Sequence, residues 1–154
     1  MSTHHGILIH VIFSTKYRKP ILSDDWRDSL FAYFGGTVKE HKANLLKAGG
    51  VRDHVHLLLR VHPHVAISST IQLLKANSSR WINENRKMAQ PFQWQRGYGA
   101  FSVSSSVVDS VIRYIAHQRE HHQKRSFQDE YLEFLNRHGI EFDERFVFEQ
   151  ECLG

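Results

Sequence analysis

Between residues 6 and 104 the spacing of apolar side chains switches between the period of a strand and that of a helix in one order: strand, helix, strand, strand, helix, strand. Residues 6–14, GILIHVIFS, are rich in β-branched and aromatic side chains and read as a buried strand. A basic turn with Lys16, Arg18, Lys19 and Pro20 ends it. Ser23 offers an N-cap to a helix with Trp26, Leu30, Phe31, Phe34 and Val38 at helical spacing. A second strand is expected over 43–49, with Gly49-Gly50 marking a turn. His54 to Val61 alternates and pairs with it as a hairpin, and Pro63 stops the run. A helix from about Ile67 to Asn85 carries Ile67, Ile71, Leu74, Ser78, Trp81 and Ile82 inward. The end of PFQWQRGYGAFSVS then supplies a fourth strand.

That order predicts an α+β fold: a ferredoxin-like, RRM-like β-α-β-β-α-β antiparallel sheet with two helices on one face. The other face is left to a partner, a ligand or solvent. Two helices should follow. Ser106 with Asp109 resembles a capping box opening one with Val108, Val111, Ile112 and Ile115 on one face. The second starts at Ser126, turns Phe127, Tyr131, Phe134 and Leu135 inward, and ends at Gly139. The 154 residues suit one domain, with a core over about 6–125 and an acidic helix and tail over 126–154.

Charge is divided unevenly. Residues 1–125 hold 18 Lys/Arg against 8 Asp/Glu, and residues 126–154 hold 2 against 8. A basic body suits a polyanion, with the acidic tail screening it or contacting something else. No apolar run approaches the roughly 20 residues that span a bilayer, so no membrane partner is expected. The start, MSTHHGILIH, does not read as a cleaved signal peptide. The single cysteine, Cys152, cannot close an internal disulfide, which makes a reducing, cytoplasmic setting the default.

Histidine occurs 12 times, and two of these stand out. In the strand HVHLLLRV, Val55, Leu57, Leu59 and Val61 face the core, while His54, His56, Leu58 and Arg60 face the other way. Imidazoles at i and i+2 on one strand can share one ion, although a solvated or core-edge pair has the same spacing. Tyr114 and Gln118 stand four apart, on one face of the predicted helix. A phenol can serve as an oxygen nucleophile and an amide carbonyl as a cation ligand. The same pair also suits an ordinary helix flank. His117, His121 and His122 follow, with a phosphate-facing or solvated role preferred.

Five segments, HVIFSTKYRKPIL, DHVHLLLR, LLKANSSRWI, WQRGYGAFSVS and VIRYIAHQREHH, stand in an order that resembles one family, with HGIEFDERF closing the match near 142. The family is the single-tyrosine transposases of the HUH endonuclease group, IS-two-hundred-like, including relatives associated with repetitive extragenic palindromes. The resemblance implies that His54 and His56 bind a metal, that Gln118 completes its coordination, and that Tyr114 is the nucleophile. It implies Mg²⁺ or Mn²⁺ as the cofactor, hairpin-bearing single-stranded DNA as the partner, and a homodimer in which Tyr114 can act in trans. A phenol attacking a scissile phosphate would give a 5′-phosphotyrosine and a free 3′-OH, keeping the phosphodiester's free energy for rejoining. The cell would be bacterial or archaeal, with the protein on the nucleoid when bound.

Lys16, Arg18, Lys19, Lys75, Arg80, Arg86 and Lys87 are candidates for phosphate contacts, and Trp94 and Tyr98 for stacking on bases. Trp26 and Trp81 lie on apolar stripes and are assigned to packing. Three other readings use the same residues: a non-catalytic RRM-like binder, a domesticated relative that still binds hairpins, and a small metal-dependent hydrolase.

Overall fold

Strand β1, Ile7–Ser14, is extended because its Ile and Val side chains suit a pleated, buried surface. It is central in the sheet. On one side it pairs antiparallel with β3, His54–Val61, from Ile7 opposite Val61 to Ser14 opposite His54. On the other it pairs antiparallel with β4, Gly99–Ser102. Strand β2, Asn44–Gly50, pairs antiparallel with β3 from the far edge, giving the order β2-β3-β1-β4. The crossovers are helix α1, Asp24–Thr37, and helix α2, Ile67–Asn85. This is the expected split β-α-β arrangement. The computed structural model describes residues 1–148, so the terminal Cys152 lies outside the described residues.

Alternation along the strands divides the side chains between two faces. Ile9, Val11 and Phe13 of β1 and Val55, Leu57, Leu59 and Val61 of β3 meet Trp26, Leu30 and Phe34 of α1 and Ile71, Leu74 and Ile82 of α2. Trp26 is buried in this core and Trp81 packs against it, as their stripe positions predict. No described helix is long and apolar enough to cross a membrane.

The second face is covered by the chain itself rather than by a partner or solvent. Three helices follow β4: α3, Val108–Ala116; α4, Gln118–His122; and α5, Phe127–Arg137. Phe127 and Leu135 of α5 join Ile12 of β1 and Phe101 of β4 in a small apolar cluster. A short helix, α6, Glu144–Val147, comes after.

Three local expectations are corrected. Gly49-Gly50 does not turn the chain but ends β2, and the hairpin closes one step later, where Val51 N–H donates to His54 O at 3.2 Å. Gly49 is needed for a different reason: a Cβ there would lie 2.0 Å from the carbonyl oxygen of Ile115, so α3 rests directly on the β2 backbone. The Ser106–Asp109 box does not form. Ser106 lies in a 3-10 turn over 105–107, its hydroxyl is 2.8 Å from that of Ser104, and α3 starts at Val108 without a side-chain cap. The predicted single helix through Tyr114 and Gln118 breaks at His117 (φ −108°, ψ 32°), so the two residues belong to successive helices.

Candidate active site

The site forms where β3 meets the C-terminal helices. Alternation sends His54 and His56 to the second face of the sheet, and both are fully buried. The broken helix brings His122 of α4 over them, and α5 inserts Glu130, which is 4% exposed. Ser126 caps α5 by accepting from Asp129 N–H at 3.1 Å, which sets the register that turns Glu130 inward. Glu130 Oε1 lies 3.0 Å from His56 Nε2, 3.3 Å from His122 Nε2 and 3.8 Å from His54 Nε2. The ligand atoms of these four residues all lie within 4.8 Å of one another.

The outer nitrogens of the three rings are engaged. His54 Nδ1 is 2.8 Å from Asp53 Oδ1, His122 Nδ1 is 3.0 Å from Arg125 O, and His56 Nδ1 is 2.9 Å from Nε2 of the buried His10. Inside, His54 Nε2, His56 Nε2 and Glu130 Oε1 are buried without a hydrogen-bond partner. The 3.0 Å approach of His56 to Glu130 therefore has the distance of a hydrogen bond but not its alignment. Unpaired buried donor atoms that face one another are expensive unless something positive lies between them. The donor set fits a divalent cation.

Gln118, 1% exposed, borders this cluster. Its Oε1 is 3.1 Å from His122 Nε2, and its Nε2 donates to Tyr114 O at 3.2 Å. The Tyr114 hydroxyl donates to Glu130 Oε2. One carboxylate thus touches the histidines with one oxygen and the tyrosine with the other. Tyr114 reaches this cluster within its own chain, so no second chain is needed to bring the two together. His121 packs its ring 4.6 Å from that of Tyr114, while His117 stays exposed. A cleft of about 410 Å³ opens beside the phenol, lined by His10, Ser110, His121, Arg125 and Arg137 among others.

Burial holds His56 down to about 4, against a raising pull from Glu130. His10 also falls well below the usual histidine range, by burial and then by the neighbouring His56. Burial alone would raise Glu130, but His122 and His56 outweigh it and keep the carboxylate ionised well below the usual range. Tyr114 moves the other way. Burial and then the anionic Glu130 push its phenol far above 10, while Gln118 and Arg125 pull it down. The hydroxyl is held protonated in this arrangement.

Sequence reasoning placed His54, His56, Gln118 and Tyr114, and the fold brings all four into one neighbourhood. It missed Glu130, although a signal was present: Glu130 stands three after Phe127 and four before Phe134, on the inward stripe of α5. His122 was read as phosphate-facing or solvated, but it turns inward toward Glu130.

The expected nucleic-acid residues fall into separate groups. Lys16 and Lys19 line a groove of about 580 Å³ with Tyr17 and Gln90. Lys16 also borders a neighbouring groove of about 750 Å³ that contains Lys75, Arg96 and Tyr98. Lys75 Nζ donates to Gln95 O at 2.9 Å, and Tyr98 is 39% exposed. Arg18 packs over Phe148, and Arg86 over Trp26. Arg80 donates to Asn77 Oδ1 at 3.2 Å, and Lys87 is exposed. Trp94 does not offer a stacking face. It is 8% exposed, donates Nε1–H to Ser78 Oγ at 2.9 Å, and packs edge-on against Phe13 and Phe92, so it belongs to the core.

Comparison with known proteins covers the same region. A family model described as "Transposase IS200 like" matches residues 3–118. The transposase for insertion sequence element IS200 of Salmonella typhimurium is 28% identical over 116 residues, which span 72% of this chain and 76% of that protein. The ISDra2 transposase TnpA of Deinococcus radiodurans is 26% identical over 116 residues, 72% of this chain and 83% of its own length. A crystal structure from Deinococcus radiodurans, of a protein assigned as a transposase, aligns with a TM-score of 0.62 at 26% identity, covering 75% of this chain and 92% of that one. A REP-associated tyrosine transposase bound to a REP hairpin shares the fold at a TM-score of 0.56 and 12% identity, covering 75% of this chain and 70% of that one. The family match takes in His54, His56, Tyr114 and Gln118 and ends before His122 and Glu130.

Proposed function

Because the chain belongs to the IS200-like transposases, we propose that it cleaves and rejoins single-stranded DNA at hairpin-marked ends through a 5′-phosphotyrosine on Tyr114. His54, His56 and Gln118 would hold a divalent cation, Mg²⁺ or Mn²⁺. When bound, that ion supplies Lewis acidity toward a phosphate and its leaving oxygen. The observation that carries the proposal is the shared carboxylate. Glu130 presents one oxygen to the histidines and the other to the Tyr114 hydroxyl. A phosphate held at the histidines would therefore lie within reach of that hydroxyl, with Glu130 beside it.

In the step itself a bond forms between Tyr114 Oη and phosphorus while the bond to the 3′-oxygen breaks. The phenolic proton leaves toward Glu130 Oε2, which already accepts it, and the departing 3′-oxygen takes a proton from solvent. Attack by a 3′-OH on the phosphotyrosine reverses the exchange and frees Tyr114 without ATP. Tyr114 would act beside the histidines of its own chain, whether or not the protein forms a homodimer. The grooves holding Lys16, Lys19, Lys75 and Tyr98 supply cationic and aromatic groups suited to single-stranded DNA. The REP hairpin bound by the structural neighbour supports hairpin DNA as the partner.

The test is incubation of labelled single-stranded DNA carrying a hairpin end with wild type and Tyr114→Phe, in Mn²⁺ or in EDTA. A covalent adduct on denaturing gels, lost in EDTA and in the variant, is the expected result. Binding without an adduct, by protein shown to hold metal, would instead establish a non-catalytic hairpin binder.

A further inference from the structure

We infer that His122 and Glu130 complete the metal centre, making a three-histidine, one-carboxylate site that takes a d-block ion such as Mn²⁺ or Zn²⁺ in preference to Mg²⁺. The inference rests on the reading that His54 and His56 bind a cation, and it adds two ligands from outside the family match.

The first argument is convergence. The donors come from three elements, β3, α4 and α5, yet the three imidazole Nε2 atoms lie 3.0–3.8 Å from a single carboxylate oxygen. The second is proton placement. Asp53 Oδ1 is an acceptor with no proton to give, so the neutral ring of His54 carries its hydrogen on Nδ1 and aims a bare Nε2 lone pair inward. Arg125 O orients His122 through Nδ1 in the same way, and the His122 Nε2 proton, now shared with Gln118 Oε1 and Glu130 Oε1, is the one a cation would displace. His10 Nε2 lies 2.9 Å from Nδ1 of His56 and fixes the direction of that ring. Outer contacts of this kind orient the ligands of built metal centres.

The third argument is the cost of the alternative. His54 Nε2, His56 Nε2 and Glu130 Oε1 are sealed from solvent and unpaired. A buried donor set of that kind is destabilising until a cation supplies the missing partner. The donor chemistry then selects the ion. Mg²⁺ favours six oxygens, many of them waters, whereas imidazole with one carboxylate suits first-row transition ions. Gln118 Oε1 remains at the rim through its contact with His122.

The experiment is titration of the metal-stripped full chain with Mn²⁺, followed by calorimetry and by the loss of free-ion EPR signal, with Zn²⁺ and Mg²⁺ as competitors. The proteins are wild type, Glu130→Gln, His122→Asn and His54→Ala, each checked for folding by circular dichroism. Glu130→Gln keeps the side chain's shape and removes its charge, and His122→Asn leaves a smaller polar side chain at the edge of the cluster, so both variants should fold. Wild type should bind one equivalent that Zn²⁺ displaces and millimolar Mg²⁺ does not. Glu130→Gln and His122→Asn should each weaken Mn²⁺ binding by at least about tenfold, since even outer partners of a metal site cost that much. Unchanged affinity in both variants, with loss in His54→Ala, would overturn the inference and leave the two-histidine reading standing. Unchanged affinity in His54→Ala would remove that reading as well. Displacement by Mg²⁺ at the concentration effective for Zn²⁺ would refute the selectivity.

Discussion

Gly49→Ala tests whether the fold sets the distance between the nucleophile and the histidines. Gly49 pairs with His56 across the β2–β3 ladder, and its missing side chain faces the carbonyl of Ile115, the neighbour of Tyr114. An added Cβ would lie 2.0 Å from that oxygen, and ordinary contact begins near 3.4 Å. The obstacle is backbone on both sides, so no rotamer change relieves it. Helix α3 must retreat by about 1.4 Å, or β2 must lose its register beside His56. Overpacking of this kind costs about 1–3 kcal/mol, which in a chain of 154 residues lowers Tm by about 3–9 °C. Displacing a reacting group by about 1 Å costs on the order of 100-fold in rate. Single-turnover adduct formation on hairpin DNA should therefore fall by about that factor, with DNA affinity little changed. Gly36→Ala is the control: its Cβ position in α1 is open, and alanine there should stabilise by about 0.5–1 kcal/mol. Wild-type rate and Tm in Gly49→Ala would refute the argument.

Four further outcomes follow from the geometry. Tyr114→Phe removes the hydroxyl that Glu130 accepts; adduct formation should vanish while hairpin binding, read by fluorescence anisotropy, stays within about twofold. In metal-free protein, His56 is neutral when folded and protonated when unfolded between about pH 6.5 and 4, and the lowered His10 adds to this below 6.5, so the unfolded state binds more protons there. Stability should fall on acidification through that window, by about 1.4 kcal/mol per pH unit for each such group. His122, raised by Glu130 against the lowering effect of its burial, does not offset this: its contribution is fully present below 6.5 and fades only as pH rises through its folded value. A Tm that stays level or rises between pH 6.5 and 4 contradicts that balance. Trp94→Ala should cost about 3–5 kcal/mol as a core deletion, visible as a large fall in Tm. Tyr98→Ala should leave Tm nearly unchanged and weaken single-stranded DNA binding, because Tyr98, unlike Trp94, presents its ring to solvent.

The sheet and its first two helices were legible because two periodicities with different repeat lengths leave little choice of register. The alternation from His54 to Val61 fixed which face each residue takes, and α2 falls on the expected Ile67–Asn85. What escaped was the placement of whole elements across space. Nothing local to residues 108–122 reports the break at His117, because it arises where α3 must rest on β2 while α4 turns over β3. Glu130 was passed over because a carboxylate on an apolar stripe gains its reason only from the histidines brought opposite it. Trp94 misled for a related reason. Its basic and aromatic neighbours in sequence suggest a nucleic-acid face, whereas its indole is fixed by Ser78, which sequence places 16 residues away.

The two faces of the sheet are held by different forces. One side rests on a large apolar core; the other on a smaller cluster of Ile12, Phe101, Phe127 and Leu135 with Tyr131, Leu132 and Phe134 packed against it, beside a polar centre. The second layer therefore has less apolar cohesion than the first, and its polar centre, with His54, His56 and Glu130 carrying unpaired buried atoms, adds to the attachment only when a cation pairs them. Such a layer can detach as a unit while the sheet remains intact, an opening of lower free energy than global unfolding. Backbone amides of α5 should then exchange with solvent well before those of β1 and β3. Any cation that ties α5 to β3 raises the energy of opening by its own binding free energy, and thereby slows its own escape.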